Sequence, residues 1–520
     1  MVKRFEWGYA YMVLVWEFSF FAVLAGAGIL SLKRKALEAP EAEPQDPLGE
    51  FPLALTMRAR PVITERARFQ HLEIVGSSGT GKNYHGLLPM IHQDMARGAG
   101  LIIIDPKGAM RRTVAAYARA CGRTRDLRCL DLADPEGSDT YNPFAGGDPA
   151  LVAERAHAAF FSDDATATSF YRDRALSLFY PFFGLCRRLG VLATPEQLRG
   201  VAMDQGALAA LVALAPGAPE ARDLRRQALS LSPLEYSKNL QGVVNALTPL
   251  CTGAFASLLN TGSPGVRLEA VLSRGGILYA GLASDQYPSA FKRVSTLLLM
   301  DLQSSLTKRY AAEARPVFLY LDEFADLLYP QVRALVAKAR EARVGIVLAH
   351  QSLGDLARQG RPIAEAIFEN TANKILLRMG GADSAEMLAR LSGSGIKAER
   401  PNWALRRGGL RGARTAQSLN AHQEKRPLFH PNDLMNLAVG EAFMIVQNSG
   451  GRELYRGRLR SAPEAGPFRK RRRRAKDRAP APGPLDLAAP ESADLRMPKP
   501  STPLAKAALE RMQRSRKHAL

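Results

Sequence analysis

Short apolar runs that do not alternate recur along this chain at 71–75, 100–104 and 127–132, and again at 276–282, 317–321, 344–349, 374–379 and 441–446. Runs of that length without alternation predict strands buried on both faces. Helical periodicity separates the first three, so the expected fold is α/β, a mostly parallel sheet with helices on both faces. The rhythm changes over 150–265, where segments such as SFYRDRALSLFYPFFGLCRRLG and LEYSKNLQGVVNALTPL are helical in period and strand-like runs are few. That stretch predicts an all-α domain inserted into the α/β domain, dividing it into halves at 59–149 and 266–462. A longer apolar run at 8–32 ends in Lys33, Arg34 and Lys35, which predicts one transmembrane helix within an anchor at 1–35. Glu17 inside this run is costly in lipid and is expected to face a partner helix or a pore. Residues 36–58 read as a linker, and 463–520 as a basic, Pro-rich, disordered tail with a short helix at 503–517.

The chemistry lies at the ends of the apolar runs. The first enters Gly76, Ser77, Ser78, Gly79, Thr80, Gly81 and Lys82, the phosphate-cradling loop of a P-loop NTPase. Its backbone N–H groups wrap a triphosphate, Lys82 reaches the terminal phosphates, and the following helix aims its positive end at them. Asn83 stands where the pattern has Ser or Thr, and its carboxamide oxygen is a candidate ligand for magnesium or for one of magnesium's waters. The run PVFLYLDEF at 316–324 delivers Asp322, a candidate magnesium holder, and Glu323, a candidate base for the attacking water. The run at 344–349 leads to His350 and Gln351, and Gln351 is placed like the γ-phosphate sensor of RecA-like motors, while His350 reads as packing or a local hydrogen bond. ATP and Mg2+ are the cofactors this set implies.

Composition narrows the partners. The 520 residues carry a formal net charge of +21, which favours nucleic acid or an anionic membrane face. Cys121, Cys129, Cys186 and Cys251 have no metal-binding spacing and read as reduced thiols of a cytosolic body.

Several segments go beyond a generic P-loop protein. IIIDPKG at 102–108, TYNPF at 140–144, LDEFADL at 321–327, AHQSLGDL at 349–356, NTANKILLR at 370–378 and RPLFHPNDLMNLAVGEAFMIVQ at 426–447 resemble the conjugative type IV secretion coupling proteins (TraD/TraG-like). The resemblance covers roughly 60–460. It implies a RecA/FtsK/HerA-type ATPase, a homo-hexamer in the inner membrane with its ATPase domain in the cytoplasm, that passes relaxase-bound DNA to a type IV secretion channel. Nucleotide would bind between subunits, and a trans arginine would complete the site; Arg340, Arg343 and Arg378 are the candidates, with Arg343 first. The family usually has two membrane helices where one is visible here, and often Glu where this chain has Ala109. Two other readings compete: a HerA/FtsK-like DNA pump outside conjugation, and a receptor that binds nucleotide without hydrolysing it. Asn83 is the sole feature favouring the receptor, and the retention of Asp322, Glu323 and Gln351 opposes it.

Overall fold

The computed structural model describes residues 51–52, 62–161, 169–253, 255–309, 315–329, 331–357, 361–398 and 423–464. The expected anchor at 1–35, the tail beyond 464 and the helix at 503–517 lie outside them. Among the described residues no helix is long and apolar enough to cross a membrane.

Among the described residues thirteen strands occur, in chain order: β1 (Phe51–Pro52), β2 (Val62–Ile63), β3 (Leu72–Val75), β4 (Gly100–Asp105), β5 (Leu127–Asp131), β6 (Ile277–Gly281), β7 (Val317–Leu321), β8 (Val344–His350), β9 (Asn373–Leu376), β10 (Ser394–Ala398), β11 (Gln423–Pro427), β12 (Glu441–Asn448) and β13 (Gly451–Arg458). Nine of them form one sheet in the order β13-β12-β9-β3-β8-β7-β4-β6-β5. From β9 to β5 every neighbouring pair is parallel, while β12 runs antiparallel to both β9 and β13. Every residue of β3, β4, β6, β7, β8 and β9 is buried, as expected of parallel strands covered by helices.

The expected runs are found, with shifted ends. The strand expected over 374–379 stops at Leu376, and Met379 instead donates its N–H to the Leu434 carbonyl. No expected run corresponds to β13, because GRELYRGR has no apolar run; all its residues but Gly457 are half-buried or exposed at the edge of the sheet. Nor does one correspond to the β10–β11 pair, whose partners Ser394 and Pro427 are far apart in the chain.

Between β5 and β6 the described residues hold helices and no strand, from Pro149–Phe161 to Leu268–Arg274. Two of these helices start on capping boxes, Thr194 with Gln197 and Ser232 with Glu235. The Pro149–Phe161 helix is tied to the Pro288–Leu306 helix by Arg155, whose guanidinium meets the buried Asp301 carboxylate; Tyr141, between β5 and the first of these helices, also donates to Asp301 at 3.1 Å.

His71, just before the central strand β3, has φ +64° and is buried. Ile346 N–H donates to its Nδ1 at 3.2 Å and its Nε2 meets the Val336 carbonyl at 2.8 Å, so one ring nitrogen accepts and the other donates. Burial, helped by Arg340 and opposed by the Val336 bond, pushes this imidazole down to about 4. The unfolded chain, with the ordinary value near 6.5, therefore takes up the proton first, and stability is lost as pH falls from 6.5 towards 4. Between pH 7 and pH 5 the loss from this one residue is about 2 kcal/mol. The difference in thermal midpoint between wild type and His71→Gln should accordingly narrow over that range; a constant gap would show that His71 is not held neutral.

Candidate nucleotide-hydrolysis site

The loop after β3 is held by the strands on either side. Gly76 N–H donates to the His350 carbonyl at the end of β8 (3.3 Å), and Ser77 N–H to the Arg378 carbonyl beyond β9 (3.0 Å). A Cβ at Gly76 would stand 2.7 Å from Leu377 Cβ and 2.8 Å from Thr80 Oγ1, so no larger residue fits. Gly79 takes φ +74°, and a Cβ there would meet nothing within 4 Å. The loop is thus open on that side and closed on the other, the shape of a cradle. Thr80 Oγ1 donates to the Ser77 carbonyl (2.8 Å), and Lys82 Nζ to the Gly76 (2.7 Å) and Ser77 (3.3 Å) carbonyls. The chain then makes a π-helical turn over Lys82–Leu87 and continues as the Leu88–Arg97 α-helix. Such turns interrupt helices at functional positions.

The tip of β7 faces this loop. Asn83 Nδ2 donates to Asp322 Oδ2 at 2.7 Å, and Glu323 N–H to Asp322 Oδ1 at 3.0 Å. Burial raises the Asp322 carboxyl against the Asn83 bond, Asp105 and Glu323 push it the same way, and it stands at about 6. Glu323 has φ +41° and ψ 50°, a left-handed conformation that costs a non-glycine residue of order 1 kcal/mol and turns its carboxylate toward β8. There Gln351 Nε2 donates to both Glu323 oxygens at 3.0 Å. Burial lowers the Lys82 ammonium, Glu323 and Asp322 act against that, and Lys107 adds to it.

Lys82, Asn83, Asp322, Glu323 and Gln351 therefore converge, as expected from the sequence. Two of the expected groups gain further detail. The Asn83 amide meets Asp322 as a donor, so a magnesium bond from its oxygen requires the amide to rotate. Arg343, expected to complete the site of a neighbouring subunit, is not in this chain's own site. It precedes β8, eight residues from Gln351 and so roughly 25 Å away at ~3.3 Å per residue, with its guanidinium on the buried Glu65 at 3.3 Å. Arg340 belongs to the same end of the sheet, whereas Arg378 follows β9 at the loop. Lys107, in the turn after β4, was given no role from the sequence. Because β4 lies beside β7, its ammonium comes 3.5 Å from Glu323 Oε1. A cation just past an apolar run was the only available signal.

The donor set suits magnesium of the kind that takes most ligands from phosphate and water: one buried carboxylate, Asp322, with the position 83 side chain touching it. Among the described residues no cluster of three or more His, Cys, Asp or Glu could hold a metal alone.

Residues 316–439 match the family described as the TraM recognition site of TraD and TraG. The fold is that of the plasmid coupling protein TrwB. Its unbound monoclinic form, a bacterial conjugative coupling protein, gives a TM-score of 0.57 at 16% identity over 78% of this chain and 89% of that one. TrwB in complex with ADP and Mg2+ gives 0.57 at 16% identity, covering 77% and 87%. TrwB with the non-hydrolysable ATP analogue ADPNP gives 0.56 at 16%, covering 76% and 86%. No curated protein matches the sequence. The resemblance to conjugative coupling proteins with a P-loop ATPase fold is thus met both by a sequence segment and by the architecture.

Proposed function

We propose that this chain is an ATP-hydrolysing coupling protein of the conjugative type, which drives DNA toward a type IV secretion channel. The observation that carries this reading is the contact of Gln351 with both oxygens of Glu323 beside the Lys82 loop. A protein that only bound nucleotide would have no use for a carboxylate held in strained backbone next to the phosphate cradle. Lys82 and the backbone of Gly79, Thr80 and Gly81 hold the β- and γ-phosphates, and Asp322, with Asn83, holds the magnesium shell. Magnesium, when bound with the nucleotide, neutralises phosphate charge. Glu323 accepts the proton of the attacking water, Gln351 orients that water against the γ-phosphate, and Lys107 keeps Glu323 paired until nucleotide arrives. Arg343 stands at the opposite end of β8 from Gln351, so any part it plays is in the site of a neighbouring copy, as in a homo-hexameric ring.

The same reading makes the run at 8–32 a single-pass inner-membrane anchor, with relaxase-bound DNA as cargo and relaxosome proteins and the channel as partners. Support comes from the coupling-protein segment at 316–439, the TrwB-like fold and the charge of +21. DNA would be held through its phosphates without sequence preference, so binding should weaken steeply with salt.

The test is ATP hydrolysis by the full chain with and without DNA. DNA-stimulated turnover supports a motor, whereas nucleotide binding without turnover, at concentrations that allow ring assembly, would replace it with a receptor. Asn83→Ser should hydrolyse ATP as fast as wild type or faster and reach half-maximal rate at lower magnesium, since a hydroxyl replaces an amide now turned donor-first to Asp322. A large loss of rate in that variant would show that the amide has a task of its own.

A further inference from the structure

Beneath the Gln351 turn, a buried ionic cluster ties together β3, β8 and β9. Glu73 lies in β3, in register with Lys374 of β9, and has no exposed surface. Its Oε2 accepts from Lys374 Nζ at 2.6 Å and from Thr371 Oγ1 at 3.1 Å, and its Oε1 faces His350 Nε2 at 2.7 Å. Lys374 Nζ also meets the Phe368 and Thr371 carbonyls at 3.0 and 2.9 Å. Burial alone would raise the Glu73 carboxyl, but Lys374 and His350 outweigh it and hold it at about 2, so Glu73 is a carboxylate.

His350 closes β8 and is fully buried. On its other side, Nδ1 lies 3.0 Å from the Ser352 carbonyl oxygen. Both atoms facing the ring are acceptors without a proton to give: a carboxylate oxygen and a carbonyl oxygen. A ring nitrogen at 2.7 or 3.0 Å from such an atom makes a hydrogen bond only by donating, so both nitrogens carry protons. His71 is the opposite case, since a backbone N–H donates to its Nδ1. The charges facing His350 are Glu73 directly and Lys374 through Glu73, so the cluster holds two cations and one anion. The same residue touches the site twice more, because its carbonyl accepts from Gly76 N–H and Gln351 follows it in the chain.

We propose that His350 is a positioning residue, an imidazolium clamped between Glu73 and the Ser352 carbonyl that fixes the turn presenting Gln351 to Glu323. It sets turnover without touching nucleotide. The proposal rests on the reading of Gln351 and Glu323 as the hydrolytic pair. Two measurements on the full chain test it. In protein labelled with 15N-histidine, the signals missing from His350→Gln identify this ring among the eight histidines. They should show both ring nitrogens protonated at pH 7, and a singly protonated ring overturns the proposal whatever the activity. In His350→Gln, kcat should fall about tenfold, the scale of a small misplacement of a reacting group, with KM and nucleotide affinity within about twofold. An unchanged kcat, or equal losses of affinity and turnover, overturns it. A wild-type protein that binds nucleotide and never turns over fails the parent reading instead, and the ring protonation still reports on the clamp.

Discussion

In Glu323→Gln, nucleotide affinity should stay within about twofold of wild type while hydrolysis falls by about 10²–10⁴-fold, the range for removing a general base. The substitution keeps the shape of the side chain. One amide oxygen still accepts from Gln351 Nε2, which now donates to both carboxylate oxygens at 3.0 Å. The left-handed backbone at 323 is retained, because nothing about the side-chain length changes. What disappears is the carboxylate proposed to take a proton from water, together with the 3.5 Å pairing to Lys107, which is half-exposed and contributes little by itself. Single-turnover hydrolysis at saturating ATP, set beside a direct nucleotide titration, separates the two effects. Full activity would remove Glu323 from the role of base.

Lys82→Ala should abolish measurable hydrolysis and weaken nucleotide binding on the order of a hundredfold. One or two charge-assisted hydrogen bonds to phosphate, each about 1.5–3 kcal/mol, account for that loss. In the structure the ammonium is parked on the Gly76 and Ser77 carbonyls, 2.7 and 3.3 Å away, so the group that would grip the phosphates already closes the loop. Its removal also leaves the buried Gly76 carbonyl without that bond, so the thermal midpoint should fall by a few degrees. Binding titration and thermal unfolding of the same preparation check both halves. Wild-type affinity in the alanine variant would mean that Lys82 does not reach the nucleotide.

How far each of these residues could be foreseen follows from the kind of signal it carries. Strands β3, β4, β7 and β8 were legible because a parallel strand covered on both faces is apolar at most positions, and such runs have abrupt polar ends. Those ends hold the glycine loop, Asp322, Glu323 and Gln351, so the chemistry could be listed from local sequence alone. The helical stretch between β5 and β6 was legible for the same reason, through its period. Strand β13 was not, since an edge strand of Arg and Glu is held by pairing with β12 and has no apolar run to announce it.

Neighbourhood was decided only by the tertiary structure. No local feature says that β8 inserts between β3 and β7, yet that order alone brings Gln351 onto Glu323. The same holds for β4 beside β7, which brings Lys107 to the site, and for Arg343, which the length of β8 carries to the opposite end of the strand. Glu73, His350 and Lys374 are the clearest case. Glu73 lies within β3, Lys374 within β9 and His350 closes β8, and the buried Glu73 carboxylate is acceptable there only because the other two arrive from neighbouring strands to pair with it. Sequence thus determined which groups stand at the strand ends, through the burial that every residue of a covered strand must tolerate. The order of the strands, set by pairing between segments up to some 300 positions apart, determined which of those groups meet.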